Sequence, residues 1–290
     1  MEGLSMNGKT VGCIGCGTMG GAVVRAIAAS SLDVRLFVSS GHYSKAESFV
    51  ESLSDLASGG SARSCATNLE VAENSDIVFI AVKPAYVQSV IEEIAPAFTK
   101  PKLLVSMAAG ITLESLREAA EAAAPKGMAF VLPHLFRMMP NLPAVYGESM
   151  TALCAGSGCT EEETAQVVAL LKTAGKVECV AEKLMDGVTA VSGSGPAYAF
   201  MFIEALADAA VKFGIPRKQA YVYAAQTLKG AAVMALQDDR SISELKDAVC
   251  SPAGTTIEAV AALERSAFRG TVIEAATAAY TKSVALGRKC

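Results

Sequence analysis

No stretch of this sequence approaches the roughly 18 continuous apolar residues of a membrane span, although 52% of its 290 residues are hydrophobic and only 19% charged. Residues 77–82 form a run of strand length, and the longer uncharged stretch 187–203 is interrupted by Ser192, Gly193, Ser194, Gly195 and Pro196. No membrane partner is expected. Positive charge is scarce too. Lysine and arginine number 25 against 29 acidic residues, a net charge of −4, whereas a nucleic-acid footprint needs a concentrated basic excess. Histidine occurs twice, at His42 and His134. The eight cysteines include one close pair, Cys13 and Cys16, with no second pair of matching spacing, so no metal site is expected. That pair overlaps a strand end and a glycine turn, which weakens the case for a redox motif. Eight cysteines in a chain of this length are no disulfide scaffold. The first nine residues carry Glu2 and no apolar core, which predicts neither a secretory signal nor an Arg-rich transit peptide. A reducing compartment, most simply the cytoplasm, is the expectation. Scarce charge and abundant apolar side chains exclude a disordered chain.

What the sequence does contain is alternation. Residues 10–14, 34–38, 77–82 and 103–107 are short and nearly continuous in apolar residues, as strands buried on both faces are. Helical stretches lie between them, with capping-box spacing at Ser44 and Glu47 and at Thr67 and Glu70. Such alternation predicts an α/β Rossmann domain with a doubly wound, mostly parallel sheet. A strand near 150–154, a third box at Thr160 and Glu163, and a strand at 177–180 complete this domain, placed at residues 1–182. Residues 183–290 read as helix only. Tyr198, Met201, Phe202, Ala205, Leu206 and Ala209 recur at helical spacing opposite Glu204, Asp208 and Lys212, and Gly214 with Pro216 closes that helix. A second apolar face holds Val272, Ile273, Ala276 and Tyr280. One domain of about a hundred residues can hardly bury both faces by itself, so an obligate two-fold dimer is expected.

The run at 11–14 leads directly into Gly15-Cys16-Gly17-Thr18-Met19-Gly20, and a helix follows. A G-x-G-x-x-G between strand and helix is a dinucleotide fingerprint. Gly15 permits the tight turn, Gly17 lets the backbone approach a pyrophosphate, and Gly20 lets helix and strand pack closely. The helix N-terminus supplies unpaired N–H groups and the positive end of its dipole. About 20 residues further on, an NAD site carries an acidic residue for the ribose 2′-hydroxyl. Ser39, Ser40, Gly41, His42 and Tyr43 stand there instead, with Lys45 beyond. Nothing in that run repels a 2′-phosphate, so NADPH is expected in preference to NADH. Ala81, Val82, Lys83 and Pro84 close the third apolar run, on the edge where doubly wound sheets bind ligands. Met107, Ala108 and Ala109 hold the matching place after the next strand, where small side chains let a nicotinamide ring lie close to the backbone.

Near the other end, Cys250-Ser251-Pro252-Ala253-Gly254-Thr255-Thr256 opens onto a helix. Its N–H groups are suited to a carboxylate, and Ser251 and Thr256 add hydroxyls. Alone, this loop reads rather as an ordinary helix cap with a Ser-Pro turn. In combination it is more. Residues 245–257, the segment Ser192-Gly193-Ser194-Gly195-Pro196-Ala197-Tyr198, the segment Ala81-Val82-Lys83-Pro84 and the segment Met139-Pro140-Asn141-Leu142-Pro143 together closely resemble the signatures of Δ1-pyrroline-5-carboxylate reductases, in family order. Two positions depart from the pattern: Ala253 stands where a second glycine is common, and Leu142 where threonine is.

The resemblance implies NAD(P)H-dependent reduction of a cyclic imine to L-proline, and a Rossmann domain followed by a helical dimerisation domain, with dimers often assembled into decamers. By matching position it places Ile14, Gly15, Cys16, Gly17, Thr18, Met19, Ser40, Asn68, Lys83, Met107, Ala108 and Ala109 around the cofactor. It places Val249, Ser251, Gly254, Thr255 and Thr256 around the substrate, with the 251–256 loop facing the Rossmann cleft. A protonated imine already accepts hydride well, so the protein mainly aligns donor and acceptor. The Thr256 hydroxyl is the expected orienting group for the imine nitrogen. The residues themselves leave two alternatives open. A β-hydroxyacid-type dehydrogenase would use a lysine such as Lys183, Lys212 or Lys229 as its acid–base, and a dinucleotide sensor would have no chemistry at all.

Overall fold

The computed structural model describes residues 6, 8–56 and 62–287. Packing separates the chain into two units, one drawn from residues up to Gly193 and from Ala279 onward, the other Ser194–Ala278. The first unit runs β1 (Lys9–Ile14), α1 (Thr18–Ala29), β2 (Val34–Ser39), α2 (Tyr43–Glu51), β3 (Ala62–Ser64), α3 (Asn68–Glu73), β4 (Ile77–Ile80), α4 (Val87–Ile94), β5 (Leu103–Ser106), α5 (Leu113–Ala122), β6 (His134–Met139), β7 (Ser149–Ala155), α6 (Glu161–Lys172), β8 (Gly175–Cys179) and the short α7 (Met185–Val188). Its eight strands lie in the order β3-β2-β1-β4-β5-β6-β7-β8. Every neighbouring pair is parallel except β6 with β7. The doubly wound, mostly parallel sheet is therefore present. β3 and β6 lie outside the apolar runs of the sequence because Arg63 sits in one and His134 and Arg137 in the other.

Alternation along each central strand sends successive side chains to opposite faces. Val11, Cys13, Leu36, Val38, Ile77 and Phe79 pack with Val23, Val24 and Ile27 of α1 and Val167 and Leu170 of α6. Ile14, Phe37, Val78 and Ile80 pack with Val71 of α3, Ile91 of α4 and Leu116 of α5. Full burial of each such side chain contributes about 1.5–3 kcal/mol, so both faces hold the strands in one register. Burial also settles the Cys13 and Cys16 question. The Cys13 thiol is pushed up to about 12, chiefly by burial and secondarily by Cys16, which keeps it protonated and a poor nucleophile.

The second unit holds α8 (Gly195–Lys212), α9 (Arg217–Gln237), α10 (Ile242–Val249), α11 (Thr255–Arg265) and most of α12 (Phe268–Gly287). The division expected after residue 182 follows sequence character, whereas the packing boundary lies at 193. α7 stays with the sheet because Met185 is buried against Met139 and Cys154. Alanines form the seam between α8 and α9, Ala207 against Ala220 and Ala224. The turn between them closes as the sequence predicts: Gly214 has φ +93 and donates to the Val211 carbonyl, and Ile215 donates to that of Ala210. The larger side chains expected on a buried face are open in the single chain, Met201 being 69% and Ile273 66% exposed.

The three capping boxes differ in outcome. At α6 the box is complete: Thr160 accepts from the Glu163 N–H, and Glu163 accepts from that of Thr160. At α3 only half forms, since Glu70 turns to the N–H of Ala66. Ser44 makes no box, because α2 starts two residues earlier than a Ser44 cap would have it, behind His42. A full box that spacing also permits occurs at Ser241 and Glu244 of α10. Replacing Thr160 by Ala should therefore lower unfolding free energy by about 1 kcal/mol, while Ser44→Ala should stay within about 0.5 kcal/mol of native. Denaturant titration of both variants is the check, and equal losses would contradict the assignment of caps.

Candidate active site

Strand register decides which loops meet. Ile14 pairs with Ser39 of β2 and Ile80 of β4, and Ile80 pairs with Ser106 of β5. The segments that follow these strands therefore emerge along one carboxyl edge, at the place where the strand order reverses on either side of β1 and β4. Brackets of backbone hydrogen bonds continue past the strands. Gly15 donates to the Ser39 carbonyl, Ala81 to that of Ile14, and Met107 to that of Ile80. The Ile14 side chain itself points into the core and is 1% exposed. Ligands of open α/β sheets bind in this kind of crevice.

The three glycines of the turn do different things. Gly15 has φ +101, where a side chain is strained, and a Cβ there would lie 2.7 Å from the Ala81 carbonyl oxygen. A Cβ on Gly20 would collide with the Gly15 carbonyl oxygen. Above Gly17 there is nothing within 4 Å, so the backbone is open to an approaching group. Gly17 caps α1 without any side-chain hydrogen bond, and no acidic residue lies in the first turn. The N–H groups there are thus left for an anion, favoured further by the helix dipole. Cys16 is partly buried, and Thr18 beside it is exposed. These features fit a dinucleotide pyrophosphate.

Ser39 and Ser40 part company. The Ser39 hydroxyl is buried and donates to Asn68 Oδ1 at 2.7 Å. Asn68 in turn donates to Glu93 through Nδ2 at 2.7 Å and through its backbone N–H at 3.0 Å. Together these bonds brace the end of β2 against α3 and α4, while Asn68 itself stays part-exposed beside the expected cofactor edge. Glu93 has no motif around it and escapes sequence inspection. Ser40 is part-exposed, and His42, Tyr43 and Lys45 are exposed, with no carboxylate among residues 39–45. Lys83 is exposed at the start of the turn Pro84–Tyr86. Ala108 is buried, Met107 and Ala109 are part-buried, and Gly110 turns the chain at φ +79. A cavity of about 660 Å³ lies elsewhere, against Leu113, Leu135, Cys154 and Val180. It includes none of the glycine turn.

The second candidate cluster is local to the helical unit. Cys250 ends α10, and Gly254 caps α11 with no side-chain hydrogen bond. The N–H groups of Thr255, Thr256 and Ile257 open that helix. Gly254 donates to the Ser251 carbonyl at 3.0 Å, and a Cβ at Gly254 would collide with the Ser251 hydroxyl oxygen. Ser251 and Thr255 are exposed, Thr256 is part-exposed, and Val249 is 62% exposed. One loop thus groups a hydroxyl, a helix N-terminus and a second hydroxyl without a charged side chain among them. Leu142 begins a 3-10 turn and is 47% exposed, while its neighbour Asn141 is buried, donating to the Ser192 carbonyl and accepting from Met150. Asn141 is a bracket between segments, which accounts for its motif without chemistry.

A sheet edge with a glycine-capped helix, joined in sequence to a helical unit, defines a nicotinamide-dinucleotide oxidoreductase class. Residues 10–110 match the family described as NADP oxidoreductase, coenzyme F420-dependent. Residues 182–286 match the family described as pyrroline-5-carboxylate reductase dimerisation. The chain is 42% identical over 285 residues to the pyrroline-5-carboxylate reductase of Escherichia coli (strain K12), covering 97% of this chain and 99% of that one. It is 35% identical to that of Methanosarcina acetivorans, over 98% of this chain and 100% of the other. Among solved structures, pyrroline carboxylate reductase of Plasmodium falciparum with NADP bound superposes with TM-score 0.80 at 31% identity, covering 98% and 100% of the two chains. The reductase of Coxiella burnetii superposes with TM-score 0.84 at 30% identity, covering 97% and 99%. The chain belongs to the pyrroline-5-carboxylate reductase family.

Ala253 departs from the family pattern with a physical consequence. It adopts φ +55, the left-handed region that costs a non-glycine residue about 1–2 kcal/mol. Glycine there would remove that strain at an unfolded-chain entropy cost of about 0.4–1 kcal/mol. Ala253→Gly should therefore raise stability by up to about 1 kcal/mol in chemical unfolding. Gly254→Ala should lower it, because its Cβ meets Ser251. A less stable Ala253→Gly variant would show that the loop does not hold this conformation.

Proposed function

We propose that the protein reduces the carbon–nitrogen double bond of L-Δ1-pyrroline-5-carboxylate to L-proline, the last step of proline synthesis, with NADPH as the preferred hydride donor. As a member of its family it is an NAD(P)H-dependent oxidoreductase that binds NADP(H). The observation that carries the site reading is the pair of helices capped by glycine without a side chain, α1 at Gly17 and α11 at Gly254. Each leaves N–H groups and a positive dipole end for an anion. The first suits the cofactor's pyrophosphate, and the second the carboxylate of a small substrate.

Nicotinamide, when bound, supplies the hydride. Residues of this chain position and enclose. Gly15, Cys16, Gly17, Thr18, Met19 and Gly20 form the phosphate turn, and Ala81, Val82, Lys83 and Pro84 flank it. Ser40 offers its hydroxyl to a 2′-phosphate, with Lys45 nearby in sequence, while Ser39 and Asn68 hold the strand end in place. Met107, Ala108 and Ala109 present a small-residue surface to the ring. Ser251 and the N–H groups of Thr255 and Thr256 hold the substrate carboxylate beside Val249, while Gly254, whose own N–H is taken by the Ser251 carbonyl, caps the helix without a side chain. The Thr256 hydroxyl accepts from the protonated imine nitrogen. Hydride joins the imine carbon, the C=N electron pair moves to nitrogen, and that nitrogen keeps the proton it already carries. No side-chain acid is required for this step, and Lys183, Lys212 and Lys229 are exposed on their segments.

The protein is a dimer-forming member of the family through its helical region. Decamers built from such dimers belong to the proposal and rest on the resemblance alone. A cytoplasmic location is proposed as well, supported by free thiols at all seven cysteines of the described residues. No helix among the described residues is long and apolar enough to cross a membrane.

Adding L-Δ1-pyrroline-5-carboxylate to protein and NADPH should oxidise one NADPH per proline formed. Ser251→Ala should mainly raise KM, since a carboxylate contact exists in ground and transition states alike. Thr256→Ala should mainly lower kcat, by a barrier of about 1–3 kcal/mol. Native rates and affinities in both variants would remove the loop from the site. Separately, Ser40→Asp should reverse the preference for NADPH over NADH by setting a carboxylate against the 2′-phosphate. Equal kcat/KM for the two cofactors in the native protein would defeat that assignment.

A further inference from the structure

The chain leaves the sheet unit after residue 193 and returns to it at residue 279. Both crossings are tied to one loop, residues 107–112, and to each other. On the outgoing side Glu182 accepts from the Leu113 N–H at 2.7 Å, through the same carboxylate oxygen that accepts from Arg137 at 3.3 Å. Leu113 begins α5, so Glu182 supplies its first turn with an acceptor and a negative charge, while Thr112 satisfies the Ser115 N–H. On the returning side the end of α12 packs backbone against backbone on Gly110. A Cβ on Gly287 would stand 3.1 Å from the Gly110 carbonyl oxygen, and one on Gly110 would stand 3.1 Å from the Gly287 nitrogen. Between the two sides, the Ser283 hydroxyl donates to Asp186 Oδ1 at 2.6 Å, and Ser283 is only 5% exposed. Glu182 and Asp186 lie on one short segment, and Ser283 and Gly287 are one helical turn apart. The contacts form a closed ring.

Arg137 makes the ring hard to explain as stability alone. Its guanidinium is buried, 4% exposed, and its Nε has no partner. Burying the arginine against a part-exposed carboxylate costs its desolvation, so the pair commonly contributes less stability than apolar packing would. What it does provide is a fixed place for Glu182. We propose that Glu182, Asp186, Ser283 and Gly287 form a clamp that sets the position of the Met107, Ala108 and Ala109 turn, making them positioning residues for hydride transfer. The proposal rests on the reading that this turn lies beside the nicotinamide. Hydride transfer demands close alignment, so a small displacement of the turn lowers rate far more than it lowers stability.

The test uses the full-length dimer and four variants: Glu182→Gln, Ser283→Ala, Asp186→Ala and Asp186→Asn. NADPH affinity is read by fluorescence titration, kcat and KM by NADPH oxidation, and dimer mass by light scattering. With mass and helicity native, Glu182→Gln, Ser283→Ala and Asp186→Ala should each lower kcat about tenfold and weaken NADPH several-fold, leaving KM for the imine within twofold. Asp186→Asn keeps an acceptor for Ser283 and should stay near native, whereas Glu182→Gln also removes the charge that faces Arg137 and the first turn of α5. The Glu182→Gln, Ser283→Ala double variant should lose less than the product of the single losses, because one ring is broken twice. Native kcat and NADPH affinity in the single variants would overturn the clamp, as would losses that appear only with loss of the dimer. A native protein that binds NADPH but does not reduce the imine would instead strike the functional reading, and the variants' NADPH affinities would still decide the clamp.

Discussion

Everything at the sheet edge depends on how closely the first turn of α1 sits against the ends of β1 and β4. The contact is made by backbone, with Gly20 under the Gly15 carbonyl and Gly15 beside that of Ala81. Any side chain at either glycine forces the helix away from the strands, and the N–H groups at Gly17 move with it. Two layers of apolar packing on opposite faces hold this approach, since α1 belongs to one face and α3, α4 and α5 to the other. The cofactor turn is thus the place where both cores meet the solvent. Local steric limits at Gly15 allow the turn, and packing against Ala81 fixes how close the helix comes.

The same device recurs in the helical unit with different supports. Gly254 again caps a helix without a side chain, but here the reason is the Ser251 hydroxyl lying where a Cβ would be. At α1 nothing lies within 4 Å of where a Cβ on Gly17 would stand; at α11 the glycine leaves room for the Ser251 hydroxyl. Both helices open with N–H groups that no side chain caps, an arrangement that favours an anion without arginine or lysine. This suits a protein with little positive charge and a substrate that carries a carboxylate on a small ring. Strain at Ala253 is consistent with a loop whose conformation is over-determined by its surroundings.

The helical unit has a thin internal seam. Alanines join α8 to α9, and large apolar side chains such as Phe200, Met201 and Ile273 remain open within one chain. Membership in a family with a dimerisation region at residues 182–286 gives that surface its purpose.

Features that depend on neighbours in the chain were legible in the sequence. Apolar runs at β1, β2, β4 and β5, the strand–turn–helix around Gly15, the cap at Thr160 and the stop at Gly214 each need only a few consecutive residues. Their physics is local: steric limits on φ, hydrogen bonds over three or four residues, and alternation of burial. β3 and β6 were not legible, because a short edge strand and one with a buried arginine lack the apolar pattern, and only partners across the sheet define them. The missing box at Ser44 turned on a shift of two residues in helix start. The bond from Ser39 to Asn68 was not legible either, because a hydroxyl can face either core or crevice, and the register of β2 with its neighbours makes that choice. Glu93, Glu182 and Ser283 carry no motif, since their partners are 25, 69 and 97 residues away in sequence. The sequence by itself determined the class of cofactor turn and the family. Tertiary structure decided which polar side chains brace and which remain free to bind, because burial depends on contacts that only the folded chain brings together.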